Sequence, residues 1–415
     1  MPRTLPEGHG PVRYGPLAPG PGLPVLPELA AVLAASAGRA HSEPVGGSPT
    51  LLDAAAGYLR RRGMPAERSQ LAASAGAAPL LCALIAATGG DVLLPRPCTA
   101  WWAPQVRLLG RQAFHVPTPP ECGGVPDPYA LLETVRRVRA EGGDPRLLVL
   151  SVADDPTATV PPPEVLHETV EAALREGLHI VSDETWRDTL HHPEETVLIG
   201  PAEMAPRHVT VLADLAGAFL PPDWPAAIAR FPATDEGAAL RARALDVLTV
   251  LGSSVAAPVA AAAAYALGEP AEVTDRLTAA VRLHAKVAEA VHRSVLAAGA
   301  LGRAPVAGRH LYVDFAPLGG ALAQRGVTDA MELEDHLTER FGMPVPGGHR
   351  FGDGLGALRA RISVAPLLGT DTGQRLAALT APDPLELPHV ERALTALAGA
   401  LDDLRADARR TEPPR

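Results

Sequence analysis

Lysine is nearly missing from this chain. Of 37 basic side chains, Lys286 is the only lysine; all the others are arginines. Any chemistry that requires a side-chain amine therefore has one candidate. Aromatic residues make up 4% and cysteines number three, Cys82, Cys98 and Cys122. Their odd number and their spacing exclude a disulfide framework and a zinc ribbon, and fit small buried hydrophobes in a reducing cytoplasm. A basic surface is lacking too: the net charge is −10, which argues against nucleic acid or an anionic membrane as partner. No charged-then-apolar leader opens the chain. The longest apolar run, Val255–Leu267, is too short to span a bilayer and contains Pro258. The expectation is a soluble cytoplasmic protein without membrane attachment.

What is present is a core-forming composition. At 415 residues and 47% hydrophobic content, the chain can bury more than one domain-sized core. The first 28 residues carry eight prolines and five glycines, so an extended arm is expected, with the arm as a whole placed at 1–45. A large domain is expected over 46–270 and a smaller α+β domain over 271–415. Ser48-Pro49 opens a helix that closes at Gly63, with the serine at the N-cap and the proline at the first turn. The apolar strands Leu147–Ser151, His179–Ser182 and Val209–Leu212 alternate with helical stretches such as Pro163–Glu176. That alternation predicts an α/β fold with a mainly parallel sheet and right-handed crossovers. Ser253–Leu267 reads as a buried helix, and Glu272–Ala298 as a long amphipathic one. Lys286 falls off its apolar stripe, on the face with Arg282, Glu289 and Arg293, which predicts a solvent-exposed amine.

Several stretches carry a resemblance. Ala73-Ser74-Ala75-Gly76-Ala77, Gly90-Asp91-Val92-Leu93-Leu94-Pro95, Asp154-Asp155-Pro156-Thr157-Ala158-Thr159, Asp183-Glu184-Thr185-Trp186, Ala218-Phe219 and Arg361-Ile362-Ser363-Val364-Ala365 occur in this order. Together they resemble the motifs of the class I/II aminotransferases, the fold-type-I enzymes of pyridoxal phosphate (PLP), over about residues 44–400. The resemblance implies a large domain with a seven-stranded-type, mainly parallel sheet, a smaller C-terminal domain, and a homodimer. It also implies roles. Ser74 and Gly76 sit in the turn that receives the cofactor phosphate, and Trp102 where an aromatic stacks on the ring. Asp155 falls where an asparagine contacts ring and substrate, Asp183 on the partner of the ring nitrogen. Trp186 replaces a tyrosine, and Arg361 falls on the clamp of the substrate carboxylate.

The departures are as informative as the matches. In an ungapped overlay, the family's Schiff-base lysine falls on Gly217, its serine on Ala216 and its phosphate-binding arginine on Pro225. Asp155, Asp214 and Asp223 stand where the pattern is neutral. The pocket is then about five charges more negative than the family's, and one charge pair at about 4 Å amounts to roughly 4 kcal/mol at an effective dielectric near 20. PLP is therefore expected to bind weakly or not at all. The leading expectation is a PLP-independent protein that binds or transforms a small amino-acid-like metabolite, with Asp154, Asp155 and Asp183 offered to an amine and Arg361 to a carboxylate. Asp155 and Asp183 are the candidates for acid–base work, if proximity splits their pKa values. Two alternatives are a non-catalytic subunit, paired with itself or with an active relative, and a PLP enzyme that holds its cofactor noncovalently. No metal is expected: Asp183, Glu184, Asp188, His191 and His192 cluster in sequence without a metal-ligand spacing.

Overall fold

The computed structural model describes residues 20–39 and 42–411, the last five by their backbone only. Seven strands form the main sheet: β1 Leu71–Ser74, β2 Asp91–Arg96, β3 Ala113–Pro117, β4 Pro145–Ser151, β5 His179–Asp183, β6 Val209–Asp214 and β7 Ala227–Arg230. Their order is β1-β7-β6-β5-β4-β2-β3. Every pairing from β3 across to β6 is parallel, and β7 runs antiparallel to both of its neighbours. The parallel strands read as unbroken apolar runs because both faces are covered. Leu148 and Leu150 face one layer and Leu147 and Val149 the other, as the two-residue period requires.

Helices fill both layers. In chain order they are α1 Pro27–Ser36, α2 Pro49–Arg61, α3 Ala77–Thr88, α4 Trp102–Leu108, α5 Pro128–Ala140, α6 Pro163–Arg175, α7 Pro201–Met204, α8 Asp235–Val250 and α9 Ala257–Leu267. Helices α3, α4 and α8 pack on one face; α2, α5, α6 and α9 pack on the other. Helix α2 starts where its sequence predicts, with Ser48 in extended backbone and Pro49 in the first turn, and it buries Leu51, Leu52, Ala55 and Leu59. The expected extended arm differs from the structure in its second half. Residues 20–26 are extended, but Pro27 sits at the first position of α1, which lies against α9. The earlier part of the arm falls outside the described residues.

Helix α10, Ala271–Ala297, leads out of the large layer. Its first turns pack Val273 and Leu277 on the main core, and Leu283, Val287, Val291 and Val295 belong to a second core. That second core covers a three-stranded antiparallel sheet of β8 Leu301–Gly302, β9 His310–Asp314 and β10 Arg359–Ser363. It is completed by α11 Gly319–Gln324, α12 Ala330–Phe341, α13 Thr372–Thr380 and α14 Pro388–Thr411. All three cysteines are buried and free. No helix among the described residues is long and apolar enough to cross a membrane.

The register of the central strands positions the site. Ser151 at the end of β4 is in register with Asp183 at the end of β5, which is in register with Leu212 near the end of β6. The loops that leave these three strands therefore gather at one edge of the sheet, where open α/β sheets place ligands.

Candidate functional site

The loop after β4 is stapled by its own aspartate. Asp154 accepts from Ser151 Oγ at 2.7 Å, from Thr157 Oγ1 at 2.6 Å and from Thr157 N–H at 3.2 Å. Its carboxyl is buried, and burial pushes its pKa up to about 7 against the pull of those donors. Asp155, next in the chain, reaches across to the smaller domain and meets Arg361 Nη1 at 2.5 Å. Both side chains of this pair are largely removed from solvent: Arg361 keeps 17% of its exposure and Asp155 14%. The Arg361 guanidinium also lies over the Phe351 ring at 4.8 Å.

At the end of β5, Asp183 accepts from Thr185 N–H at 2.9 Å. Burial raises it to about 7 as well, with the Asp214 and Asp155 carboxylates adding to the effect. Asp214, at the end of β6, turns toward α3. It accepts from Ala77 N–H, in the first turn of that helix, at 2.8 Å and from Ala216 N–H at 2.9 Å. The helix approach depends on Gly76, whose φ of +96° is open to glycine and strained for other residues. A Cβ on Gly76 would already stand 3.5 Å from the Asp214 carboxylate. One donor at the mouth of α3, Ala77 N–H, thus has an internal carboxylate seated on it.

Asp214 leads into a short turn, Leu215–Gly217. Gly217 is pressed against Thr185: a Cβ there would fall 2.5 Å from the Thr185 carbonyl oxygen and 2.7 Å from its Cγ2. Thr185 is itself held, since its Oγ1 accepts from Asp214 N–H at 3.0 Å. The position has no room for a side chain without a shift of backbone.

The sequence-derived site residues separate into groups. Asp155, Asp183, Trp186 and Arg361 converge at the sheet edge, together with Arg309 and His310. The Arg309 guanidinium lies 5.3 Å from the Trp186 ring centre, and His310 meets the same ring edge-on at 5.8 Å. Gly76 lines the mouth of α3. Ser74 is buried and exchanges its hydroxyl hydrogen bond with Ser253 at 2.7 Å. Trp102 has no exposed surface and belongs to the core behind α3, edge-on to Trp101.

One electrostatic expectation changes. The aspartates are not an open acidic pocket: Asp154 and Asp214 are taken up by backbone and hydroxyl donors and Asp155 by Arg361, while Asp223 lies on the outward turn after Pro222. Arg361 gives its Nη1 to Asp155, while its Nε is buried without a partner. Lys286 lies on the outer side of α10, donating to Pro382 O at 3.2 Å and 3.5 Å from Asp383. The cluster near residue 190 is likewise distributed among structural links. Glu184 pairs with Arg187, Asp188 accepts from Tyr58 and Arg62, and the His191 ring lies between the carbonyl oxygens of Pro305 and Gly308.

One set of residues escaped the linear reading. Arg276, Ala280 and His284 on α10 line a cavity beside Gly217, opposite Arg309. Their spacing of four placed them on one helix face, but nothing in the sequence tied that face to Arg309.

Comparison with known proteins places this geometry. A family model described as aminotransferase class I and II matches residues 23–378. The probable aspartate/prephenate aminotransferase of Thermus aquaticus is 31% identical over 191 residues, which is 45% of this chain and 48% of that protein. The aspartate/prephenate aminotransferase of Thermus thermophilus is 31% identical over 199 residues, 47% of this chain and 49% of that protein. The chain thus spans about half the length of the curated relatives it matches. Among solved structures, the Thermus thermophilus aspartate aminotransferase with maleate superposes with a TM-score of 0.71 at 23% identity, over 85% of this chain and 86% of that one. The aspartate aminotransferase from Rhizobium meliloti gives a TM-score of 0.75 at 17% identity, over 93% of this chain and 90% of that one. These likenesses establish the fold-type-I architecture.

Proposed function

The chain belongs to the class I and II aminotransferase family, and on that premise we propose that it works without lysine-linked PLP, the family's cofactor, as a protein that binds a small amino-acid-like acid. The observation that carries this reading is the Asp214 carboxylate seated on Ala77 N–H at the mouth of α3. A helix N-terminus is where a cofactor phosphate finds unpaired donors and a favourable dipole. Here one donor is already used by a fixed anion. A second anion beside it meets repulsion of roughly 4 kcal/mol per charge pair at about 4 Å in an effective dielectric near 20. Pro225, where the family overlay expects a cationic partner, offers none.

The residues also do not fit covalent attachment. Gly217 has no amine and no space for one, and the single lysine is engaged with Asp383 on the outside of α10. Neither position supports transamination through the cofactor. What remains is a polar edge between two domains, with guanidinium groups from the smaller domain facing the carboxyl ends of the parallel strands. The names of the curated relatives point to aspartate and prephenate, both acids, and an acidic ligand suits this distribution of cations.

The test is a PLP titration of the purified chain, followed by borohydride reduction and peptide mass mapping. The expected result is no visible band and no pyridoxyl-labelled peptide. Stoichiometric label on Lys286 would overturn the reading, because the only side-chain amine would then have to reach the sheet edge.

A further inference from the structure

A cavity of about 100 Å³ lies beside Gly217, between the turn after β6 and helix α10. Its roof is the extended segment Gly22–Leu26. Arg276 Nη2 donates to Pro24 O at 2.7 Å, and Leu23 and Leu26 anchor the segment on the second and the main core respectively. Among the described residues, the polar side chains on the cavity wall are Arg276, His284, Arg309 and Thr189, with no carboxylate.

Those cations are short of partners. Arg276 Nη1 is buried without a hydrogen bond. Among the described residues, the Arg309 guanidinium has no ion pair or hydrogen bond, only the Trp186 ring. Asp155 is close enough to act on Arg309, but its carboxylate is committed to Arg361. Burial and the adjacent arginines pull His284 down to about 3, so its ring is neutral and offers one N–H. Charged groups removed from water are ordinarily paired. Among the described residues, this wall sets two half-buried guanidiniums and an imidazole together with no carboxylate lining it, an arrangement that suits an incoming anion.

We infer that this cavity is a binding site for a small carboxylic acid, held by Arg309 and Arg276 with His284 donating to the same group. An engineered cavity of about 150 Å³ takes a benzene ring, so the space here suits an acid of roughly four to six non-hydrogen atoms. The inference deepens the reading above by naming the recognition element, and it rests on position 217 carrying no cofactor.

The experiment is calorimetric titration of the full chain with acetate, lactate and pyruvate, with acetamide as the uncharged shape control and inorganic phosphate as the competing oxyanion. The acids are expected to bind at least about tenfold more tightly than acetamide, as charge-assisted hydrogen bonds require. R309M should weaken acid binding by a similar factor, while R293Q, an exposed change elsewhere on α10, leaves it unaltered. Should R309M fail to fold, V281F keeps all three donors, narrows the cavity and is expected to exclude pyruvate and lactate. Acids that bind no better than acetamide, phosphate that binds more tightly than every acid, or a V281F chain that takes pyruvate as before would each overturn the assignment. PLP uptake on Lys286 would overturn the reading above, whereas absence of acid binding in a chain that also ignores PLP overturns this inference alone.

Discussion

Removing the Asp214 carboxylate should reopen the anion site that it fills. The side chain accepts two backbone N–H bonds, from Ala77 at 2.8 Å and Ala216 at 2.9 Å. Hydrogen bonds to charged groups contribute about 1.5–3 kcal/mol each, and loss of a capping side chain costs about 0.5–2 kcal/mol. Burial works the other way, raising the Asp214 pKa and disfavouring its ionised form. The net expected cost of D214A is about 2 kcal/mol, read as a lower urea midpoint. D214N should fall between, because its amide can accept one N–H while its NH₂ group faces the other. The more decisive readout is rescue. With the mouth of α3 empty, phosphate at about 10 mM and a dissociation constant near 1 mM would restore about 1.4 kcal/mol to D214A. The wild type should show only the general salting effect that chloride-matched controls define. If D214A is as stable as the wild type, or if phosphate raises both midpoints equally, the carboxylate is not standing in for a bound anion.

Other substitutions probe the same edge. G217A places a methyl against Thr185 and should cost about 1–3 kcal/mol by overpacking, measured by denaturant unfolding. W102A should cost about 3–5 kcal/mol as a core truncation while W102F is mild; a ring that served only a ligand would show the reverse order in binding and none in stability. Breaking the Asp155–Arg361 pair by either D155A or R361A should cost about 2–4 kcal/mol, with the double variant costing less than the sum. Asp183 gives a pH signature. Its folded pKa of about 7 lies above the ordinary carboxylate value, so the unfolded chain releases that proton first and the stability due to Asp183 is lost as pH rises from about 4 to about 7. D183N removes this dependence, and its stability relative to wild type should improve between about pH 5 and about pH 8.

Much of the architecture could be read from the chain, for reasons that are local. The strands β4, β5 and β6 announce themselves as continuous apolar runs, and α12 carries a capping box between Asp329 and Glu332 at its start. The α1 helix was concealed by the proline-rich segment that contains it, although Pro27 is itself a helix-start residue. The site was legible in position but not in allegiance. That Asp155, Asp183 and Arg361 meet follows from their places at strand ends and on the facing sheet. That Asp155 occupies Arg361, 206 positions away, and Asp214 reaches Ala77, 137 positions away, depends on how side chains settle after folding, and no spacing encodes it.

The loops that leave β4, β5 and β6 have a consequence for how relatives of this chain should be compared. In an open α/β enzyme such loops vary freely around a few reacting groups. Here Asp154, Asp183 and Asp214 each fasten their own stretch of backbone, so this rim behaves like an extension of the hydrophobic interior. A deep mutational scan would find it as intolerant as the strands beneath it. Invariance at these aspartates across an alignment would then record the architecture of the rim, and the imprint of a ligand should be sought instead at His284 and Arg309, whose side chains hold no backbone together among the described residues.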